Sequence, residues 1–181
     1  LKERLDRLEC GARLIRALGE GRPITLEQPY YPLATAESYP LPARGRLPLL
    51  IGARGEKRAL GIVAEHAEEW NTTRVTFEDY RVKRAALERH CNAIGRDPAT
   101  ITRSLMVPVI VGRSEADTAT RRDRARASFP RLPEDAAGWR SAGFLHGSPA
   151  EVVEDLARWR ELGIQRVMLQ MIDQEDVAAI E

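Results

Sequence analysis

Apolar positions along this chain follow two spacings, and together they predict alternating helices and strands. Stretches with an apolar residue every three or four positions indicate helices with one buried face. Helices are predicted to begin near residues 1, 56, 76, 115, 148 and 174, and strands to span 24–26, 49–53, 69–72, 101–111 and 164–172. This alternation predicts a parallel sheet, either a doubly wound α/β sheet or part of a (β/α)8 TIM barrel, and four α/β units favour about half a barrel.

Local chemistry marks several helix ends. Thr76 with Asp79, and Ser148 with Glu151, are placed to cap the helices that follow them. Gly95 and Gly163 are placed to end those two helices. The inner face of the helix after Thr76 is predicted to hold Phe77, Tyr80, Leu87, Cys91 and Ile94.

Two segments are predicted to be irregular. Residues 28–48 carry five prolines, a density that predicts no regular element. Residues 129–147 contain both prolines and glycines and are also predicted to be irregular. A connection of about twenty residues within a compact domain is often functional or an inserted subdomain.

Composition narrows the class of protein. The 181 residues carry a net charge of +1 and 43% apolar residues, as a globular domain does, and nothing in that balance points to nucleic acid. No apolar run approaches the roughly 18 residues of a membrane span. Two cysteines and three histidines fit no zinc spacing, so no metal is expected. With no signal peptide, the expected location is the cytoplasm.

The segment from Pro48 to Asn71 carries the clearest chemistry. It predicts a strand that runs through Gly52 and Gly55 into a helix starting near Glu56. Free N–H groups and the dipole at a helix start can bind a phosphate, and glycine lets a ligand approach the backbone. Arg54, Lys57 and Arg58 add cationic side chains. A purely structural strand-to-helix turn explains the same residues equally well.

Two longer stretches resemble a known family. These are RLDRLECGARLIRALGEGRPITLEQPYYPL followed by LPLLIGARGEKRALGIVAEHAEEWN, and HGSPAEVVEDLARWRELGIQRVMLQM near the end. They resemble the luciferase-like monooxygenase superfamily, in particular its F420-dependent oxidoreductase branch, over nearly the whole chain. The resemblance implies a TIM barrel, of which residues 1–181 form a single domain covering about the C-terminal half, with 28–48 as a proline-rich insertion loop.

The resemblance also implies a cofactor site. Its candidates are the residues of the glycine turn and of the next strand: Gly52, Ala53, Arg54, Gly55, Glu56, Lys57, Trp70 and Asn71. Relatives commonly have four glycines where this chain has Ala53 and Arg54 between two glycines. For Trp70, lining the pocket and packing in the barrel core are equally open. Gln170 falls where substrate-facing residues lie in barrels, and a solvent or capping role is expected for His146. His66 and His90 fall on helix surfaces without a functional signal.

The function implied is hydride transfer between coenzyme F420, or alternatively FMN, and a small organic substrate. In relatives the acid and base residues lie mostly in the other half of the barrel, so the catalytic residues are unknown. Homodimers or larger assemblies are expected. The alternative is a truncated, non-catalytic half-barrel that binds flavin or phosphate and needs dimerisation for stability, because half a barrel leaves open sheet edges.

Overall fold

The computed structural model describes residues 2–27, 29–173 and 175–177, and their contacts separate into two units. The first unit is built from the chain up to Trp70 together with residues 86–101, and the second from residues 71–85 and from Thr102 onward. The elements alternate as the apolar pattern predicts. A predicted helix at 174–181 lies outside the described residues, apart from 175–177.

The first unit packs two helices beside short strands. Its elements are α1 (Lys2–Leu18), β1 (Ile24–Leu26), β2 (Leu33–Ala36), β3 (Leu50–Gly52), α2 (Ala59–His66) and the start of β4 (Glu69–Thr73). The predicted inner stripe of α2 is confirmed, since Leu60, Val63 and Ala64 are at most 1% exposed. Cys91 at the end of α3 (Phe77–Ala93) is also buried in this unit.

The proline-rich segment contains one regular element, so the prediction of none in residues 28–48 was wrong. Strand β2 pairs antiparallel with β1, with Ile24 opposite Ala36 and Leu26 opposite Leu33. Residues 33–36 lie between Pro32 and Pro40 and contain no proline. Four residues with free N–H groups are enough to form one short ladder, which the count of prolines over the whole segment conceals.

One carboxylate fastens this segment to the rest of the first unit. Glu68 accepts hydrogen bonds from the Arg16 guanidinium at 2.9 Å and from the Leu49 N–H at 2.7 Å, and it also pairs with Arg46. Burial alone would raise the pKa of Glu68. The Leu49 hydrogen bond and the two guanidinium groups outweigh it, so the pKa lies below its ordinary value and the anchor stays ionised.

The second unit is a parallel sheet with helices. Strand β5 (Thr102–Val111) has the end of β4 as a neighbour and pairs in parallel with β6 (Leu145–Gly147) and β7 (Arg166–Met171). Helices α4 (Glu115–Ser128), α5 (Ala136–Ser141) and α6 (Pro149–Glu161) lie between those strands in sequence. Most of β5 is buried, which explains its nearly unbroken apolar sequence.

Residues 129–147 are more regular than predicted. They contain α5 and β6, and Trp139 of α5 is fully buried in a cluster with Ile110, Ala125 and Phe144. Asp135 begins α5 by accepting a hydrogen bond from the Gly138 N–H at 2.7 Å. Two short elements therefore lie among the prolines and glycines of this segment, with Gly138 inside α5 and Gly147 at the end of β6, and the capping aspartate was the signal that the composition obscured.

The predicted helix ends are confirmed. Thr76 and Asp79 exchange hydrogen bonds at the start of α3, and Ser148 and Glu151 form a full capping box at the start of α6. Gly95 and Gly163 have φ values of 69° and 91°, the left-handed conformation of a helix stop. Ile94 was wrongly predicted to face inward, because α3 ends at Ala93 and the Ile94 side chain is 55% exposed.

No helix within the described ranges combines the length and the apolar character that crossing a membrane requires.

Candidate functional site

The glycine turn joins β3 to α2 in the first unit and runs from Gly52, the last residue of β3, to Arg58, the residue before α2. Helix α2 begins at Ala59, later than the predicted start near Glu56, because residues 56–58 form a turn instead. The Leu60 N–H donates to the Gly55 carbonyl at 3.1 Å, and Arg58, the residue before the helix, gives no side-chain cap. Three turn residues, 56–58, therefore lie between Gly55 and the first residue of α2.

The two glycines of this turn are not needed for an unusual backbone conformation. Neither Gly52 nor Gly55 is among the described residues with positive φ, and neither are Ala53 and Arg54. A Cβ added at Gly52 would meet nothing within 4 Å. Replacing the family's glycines by Ala53 and Arg54 therefore strains no φ angle, and the backbone at Gly52 is open to a ligand.

Cationic side chains at the turn divide into two groups. Arg54 and Lys57 are exposed, and neither makes a hydrogen bond or ion pair within the described part of the chain. Arg58 instead turns to α1, where it pairs with Asp6 and donates to Glu9 at 3.1 Å. The hydrogen bond from Arg58 holds the pKa of Asp6 below its usual range. Arg54 and Lys57 are thus the cations available to an anion.

Trp70 contacts the turn from the protein interior. Its side chain is 0% exposed, and its indole Nε1–H donates to the Ala53 carbonyl at 2.9 Å. Trp70 therefore packs as a core residue in the first unit and also fixes the end of β3. Its role in binding a cofactor stays a prediction, as do those of Gly52, Ala53, Arg54, Gly55, Glu56 and Lys57.

His90 contacts the same turn and was missed by the sequence analysis. Its Nε2 lies 2.7 Å from the Glu56 carbonyl oxygen, across 34 residues of sequence. Its position in the last turn of α3 gave no reason to connect it with the glycine turn, because only the folding of 86–101 within the first unit brings it there.

Asn71 and Gln170 belong to the second unit. The Asn71 side-chain amide is half-buried and donates to the Ser104 hydroxyl at 3.0 Å. Gln170 is exposed on β7, opposite Pro108 of β5. Asn71 and Ser104 lie on the adjacent strands β4 and β5, and the role of Asn71 in binding a cofactor stays a prediction.

His146 is neither at the surface nor a cap, so that expectation was wrong. It lies in β6 opposite Ile110, is 2% exposed, and its ring centroid is 5.9 Å from that of Trp139. No hydrogen-bond partner for either ring nitrogen is found among the described residues. Burial, followed by the charges of Arg122 and Arg140, lowers the pKa of His146 below its ordinary value.

Acid should therefore destabilise the fold through His146, which is buried, and His66, which is partly buried. The pKa of His66 is also lowered by burial, so both imidazoles are neutral in the folded state and take up protons more readily when unfolded. Their contribution is complete above the ordinary pKa of about 6.5 and falls as the pH drops, by at most about 1.4 kcal/mol per pH unit for each histidine. Urea unfolding from pH 8 to pH 5 measures this slope.

His146→Leu is expected to flatten that pH dependence, while Arg131→Leu, an exposed position, should leave it unchanged. An identical slope in wild type and His146→Leu contradicts the role assigned to His146.

Three other polar side chains lie close enough to share an ion. The ligand atoms of Glu9, Glu65 and His66 are all within 4.8 Å of one another. Arg13 already pairs with Glu9 at 2.9 Å and with Glu65 at 3.6 Å. Because these carboxylates are neutralised by a guanidinium, the group has little charge left to hold a metal ion.

The second unit contains a separate cavity of about 270 Å³. Its walls include Phe77 and Trp159, whose ring centroids are 4.5 Å apart, and Arg158, which lies over the Phe77 ring at 4.1 Å. None of the residues predicted to bind the cofactor lines it. Arg158 is also paired with Asp155 at 3.2 Å, so this cavity offers less free positive charge than the glycine turn.

The fold is α/β, and its strand-to-helix turn is open at Gly52 and carries the exposed cations Arg54 and Lys57. The chain belongs to the luciferase-like monooxygenase family, whose model matches residues 1–146.

Among curated proteins, the chain is similar to the phthiodiolone/phenolphthiodiolone dimycocerosates ketoreductase of Mycobacterium bovis (strain BCG / Pasteur 1173P2). The two are 25% identical over 206 aligned positions, which cover 90% of this chain and 54% of the relative. The chain thus spans about half the length of this relative.

Among solved structures, an F420-dependent secondary alcohol dehydrogenase in complex with an F420–acetone adduct superimposes with a TM-score of 0.77 at 17% identity. The match covers 95% of this chain and 57% of that one. A riboflavin lyase with modified FMN and riboflavin superimposes with a TM-score of 0.74 at 13% identity. That match covers 98% of this chain and 55% of the lyase chain. At such low identity these likenesses establish the fold alone, a part of the TIM barrel of luciferase-like proteins.

Proposed function

We propose that the natural protein is an oxidoreductase that binds coenzyme F420 and transfers a hydride to or from a small organic substrate. FMN is the alternative cofactor. In this proposal the turn at residues 52–57 binds the phosphate of the cofactor. The observation that supports it is the pair of exposed cations, Arg54 and Lys57, which have no ion-pair partner among the described residues, at a turn whose backbone is open at Gly52.

The donors at the turn fit a phosphate group. A phosphate accepts several hydrogen bonds at once, and both guanidinium and ammonium groups bind it. Arg58 cannot share this role while it pairs with Asp6 and Glu9. The bound cofactor would supply the redox chemistry, and the residues of this chain would bind and orient it.

The descriptions of the similar proteins favour F420 over FMN as the proposed cofactor. The dehydrogenase with a TM-score of 0.77 is described as F420-dependent, while the riboflavin lyase, with 0.74, contains modified FMN. One relative is named a ketoreductase and another a secondary alcohol dehydrogenase. We therefore propose a ketone and its secondary alcohol as the substrate class. Cytoplasmic location and assembly into homodimers or larger oligomers remain part of the proposal.

Removing both free cations tests the phosphate site. In the full natural chain, Arg54→Ala combined with Lys57→Ala is expected to weaken F420 binding about 100-fold. Each lost charge-assisted contact accounts for about tenfold, or about 1.4 kcal/mol. Fluorescence titration with F420 and, separately, with FMN measures both dissociation constants.

Arg4→Ala is the matched control, because Arg4 is an exposed cation on α1, in the same unit. Unchanged affinity in the double variant rejects the turn as the phosphate site. If the wild-type protein binds neither cofactor below millimolar concentration, the proposed function itself is wrong.

A further inference from the structure

Three peptide carbonyls of the glycine turn already have donors from the protein. The Ala53 carbonyl accepts from the Trp70 indole at 2.9 Å, and the Gly55 carbonyl accepts from the Leu60 N–H at 3.1 Å. The Glu56 carbonyl lies 2.7 Å from His90 Nε2. Two of these donors are the side chains of Trp70 and His90, which are distant in sequence. The turn is therefore restrained by contacts with other elements as well as by its own backbone hydrogen bond.

The direction of each carbonyl determines the direction of the next N–H. A trans peptide unit is planar, so its C=O and N–H point in opposite directions. The carbonyl of Ala53 points at the buried Trp70, and the N–H of Arg54 therefore points away from that side chain. The carbonyl of Glu56 points at His90, and the N–H of Lys57 therefore points away from α3.

The chemistry of His90 is fixed by its partner. A carbonyl oxygen only accepts, so Nε2 must carry the proton and donate. On its other side, His90 Nδ1 lies 3.6 Å from the position that a Cβ would occupy at Gly61. The absence of a side chain at Gly61 leaves room for the imidazole beside α2, within reach of the turn.

The His90 donor is not required to keep the Glu56 carbonyl satisfied. The turn lies at the surface, where Arg54, Gly55 and Lys57 are exposed, so water could take the place of His90 at the Glu56 carbonyl. Water would leave that peptide unit free to rotate. The specific consequence of a side-chain donor is orientation, because a fixed imidazole restrains the direction of the peptide plane.

We propose that His90 and Trp70 are positioning residues that orient the N–H groups of Lys57 and Arg54 toward the phosphate of the cofactor. The proposal rests on the proposed function of the turn. Together with the Arg54 and Lys57 side chains, these N–H groups would form a preorganised set of donors, which binds an anion without the cost of first ordering the backbone.

Variants that differ only in the donor test this role in the full natural chain. His90→Leu removes the donor, while His90→Gln keeps an N–H donor of similar reach. Trp70→Phe keeps a buried ring and removes the indole N–H. We expect His90→Leu and Trp70→Phe each to raise the dissociation constant for F420 about tenfold, and His90→Gln to stay within about threefold of wild type.

A second measurement needs no cofactor. Amide hydrogen exchange on the cofactor-free protein, resolved by NMR, should show faster exchange for residues 53–58 in His90→Leu than in wild type, with exchange in α1 unchanged. In ¹⁵N spectra of the wild-type protein, His90 should carry its proton on Nε2.

Arg89→Leu, at the exposed neighbouring position of α3, is the control for the loss of a polar side chain. The proposal is overturned if His90→Leu matches Arg89→Leu in both exchange and affinity, or if His90→Gln loses as much affinity as His90→Leu. If wild type binds neither cofactor while His90→Leu still accelerates exchange at 53–58, the proposed function fails but the orientation of the turn by His90 stands.

Discussion

Replacing Trp70 by alanine is expected to lower the free energy of unfolding by about 3–5 kcal/mol, the range for deleting a large buried aromatic side chain. The side chain is 0% exposed, so its loss leaves a cavity that the neighbouring residues can fill only partly. The Ala53 carbonyl also loses its indole donor. Urea denaturation of the full natural chain, followed by circular dichroism, measures the change.

Leu50→Ala is the matched control for this variant. Leu50 lies in β3, in the same unit, and its side chain is 48% exposed. We expect a loss below about 1 kcal/mol there, because an exposed apolar residue contributes little. If Trp70→Ala destabilises the protein no more than Leu50→Ala, Trp70 does not have the core position described for it.

Gly143→Ala is expected to lower the free energy of unfolding by about 3 kcal/mol or more. Gly143 has φ of 75°, and a left-handed conformation costs a residue with a Cβ about 1–2 kcal/mol. A Cβ there would also overlap the Val75 carbonyl oxygen, which belongs to the backbone and cannot move aside as a side chain can. The backbone at Gly143 and the backbone at Val75 would have to move apart, and this overpacking lowers the free energy of unfolding further.

Gly95→Ala separates the two causes. Gly95 has a similar φ of 69°, but a Cβ there would meet nothing within 4 Å. Only the conformational cost remains, so a loss of about 1–2 kcal/mol is expected from the same denaturation experiment. Equal losses for Gly95→Ala and Gly143→Ala would show that the close approach to Val75 has no energetic weight.

Local signals in the sequence predicted much of the fold. The capping residues Ser148 and Thr76 mark their helix starts because an N-cap acts within three residues of itself. The long apolar strand β5 was evident from its own sequence. The strand β2 and the helix α5 were missed because prolines and glycines around them dominated the composition of each segment.

The candidate site was less accessible to sequence reasoning, because its contacts are distant along the chain. The pattern indicated the glycine turn and its cations, but three of those cations looked equivalent. Only the fold shows that Arg58 is occupied by Asp6 and Glu9. His90 reaches the turn across 34 residues, and no local spacing encodes such a contact. Tertiary packing, rather than propensity, selects which polar side chains are available to a ligand.

The ordinary φ angles at Gly52, Ala53, Arg54 and Gly55 also make this turn a convenient place for protein engineering. Because none of the four positions needs glycine for its backbone, side chains at the exposed positions Gly52, Arg54 and Gly55 can be exchanged with little penalty to folding, whereas Ala53 is buried. A library restricted to Gly52 and Arg54 would therefore vary charge and size at the proposed phosphate site, and would test whether this turn sets a preference between F420 and FMN, while the buried residues Ala53 and Trp70 stay unchanged.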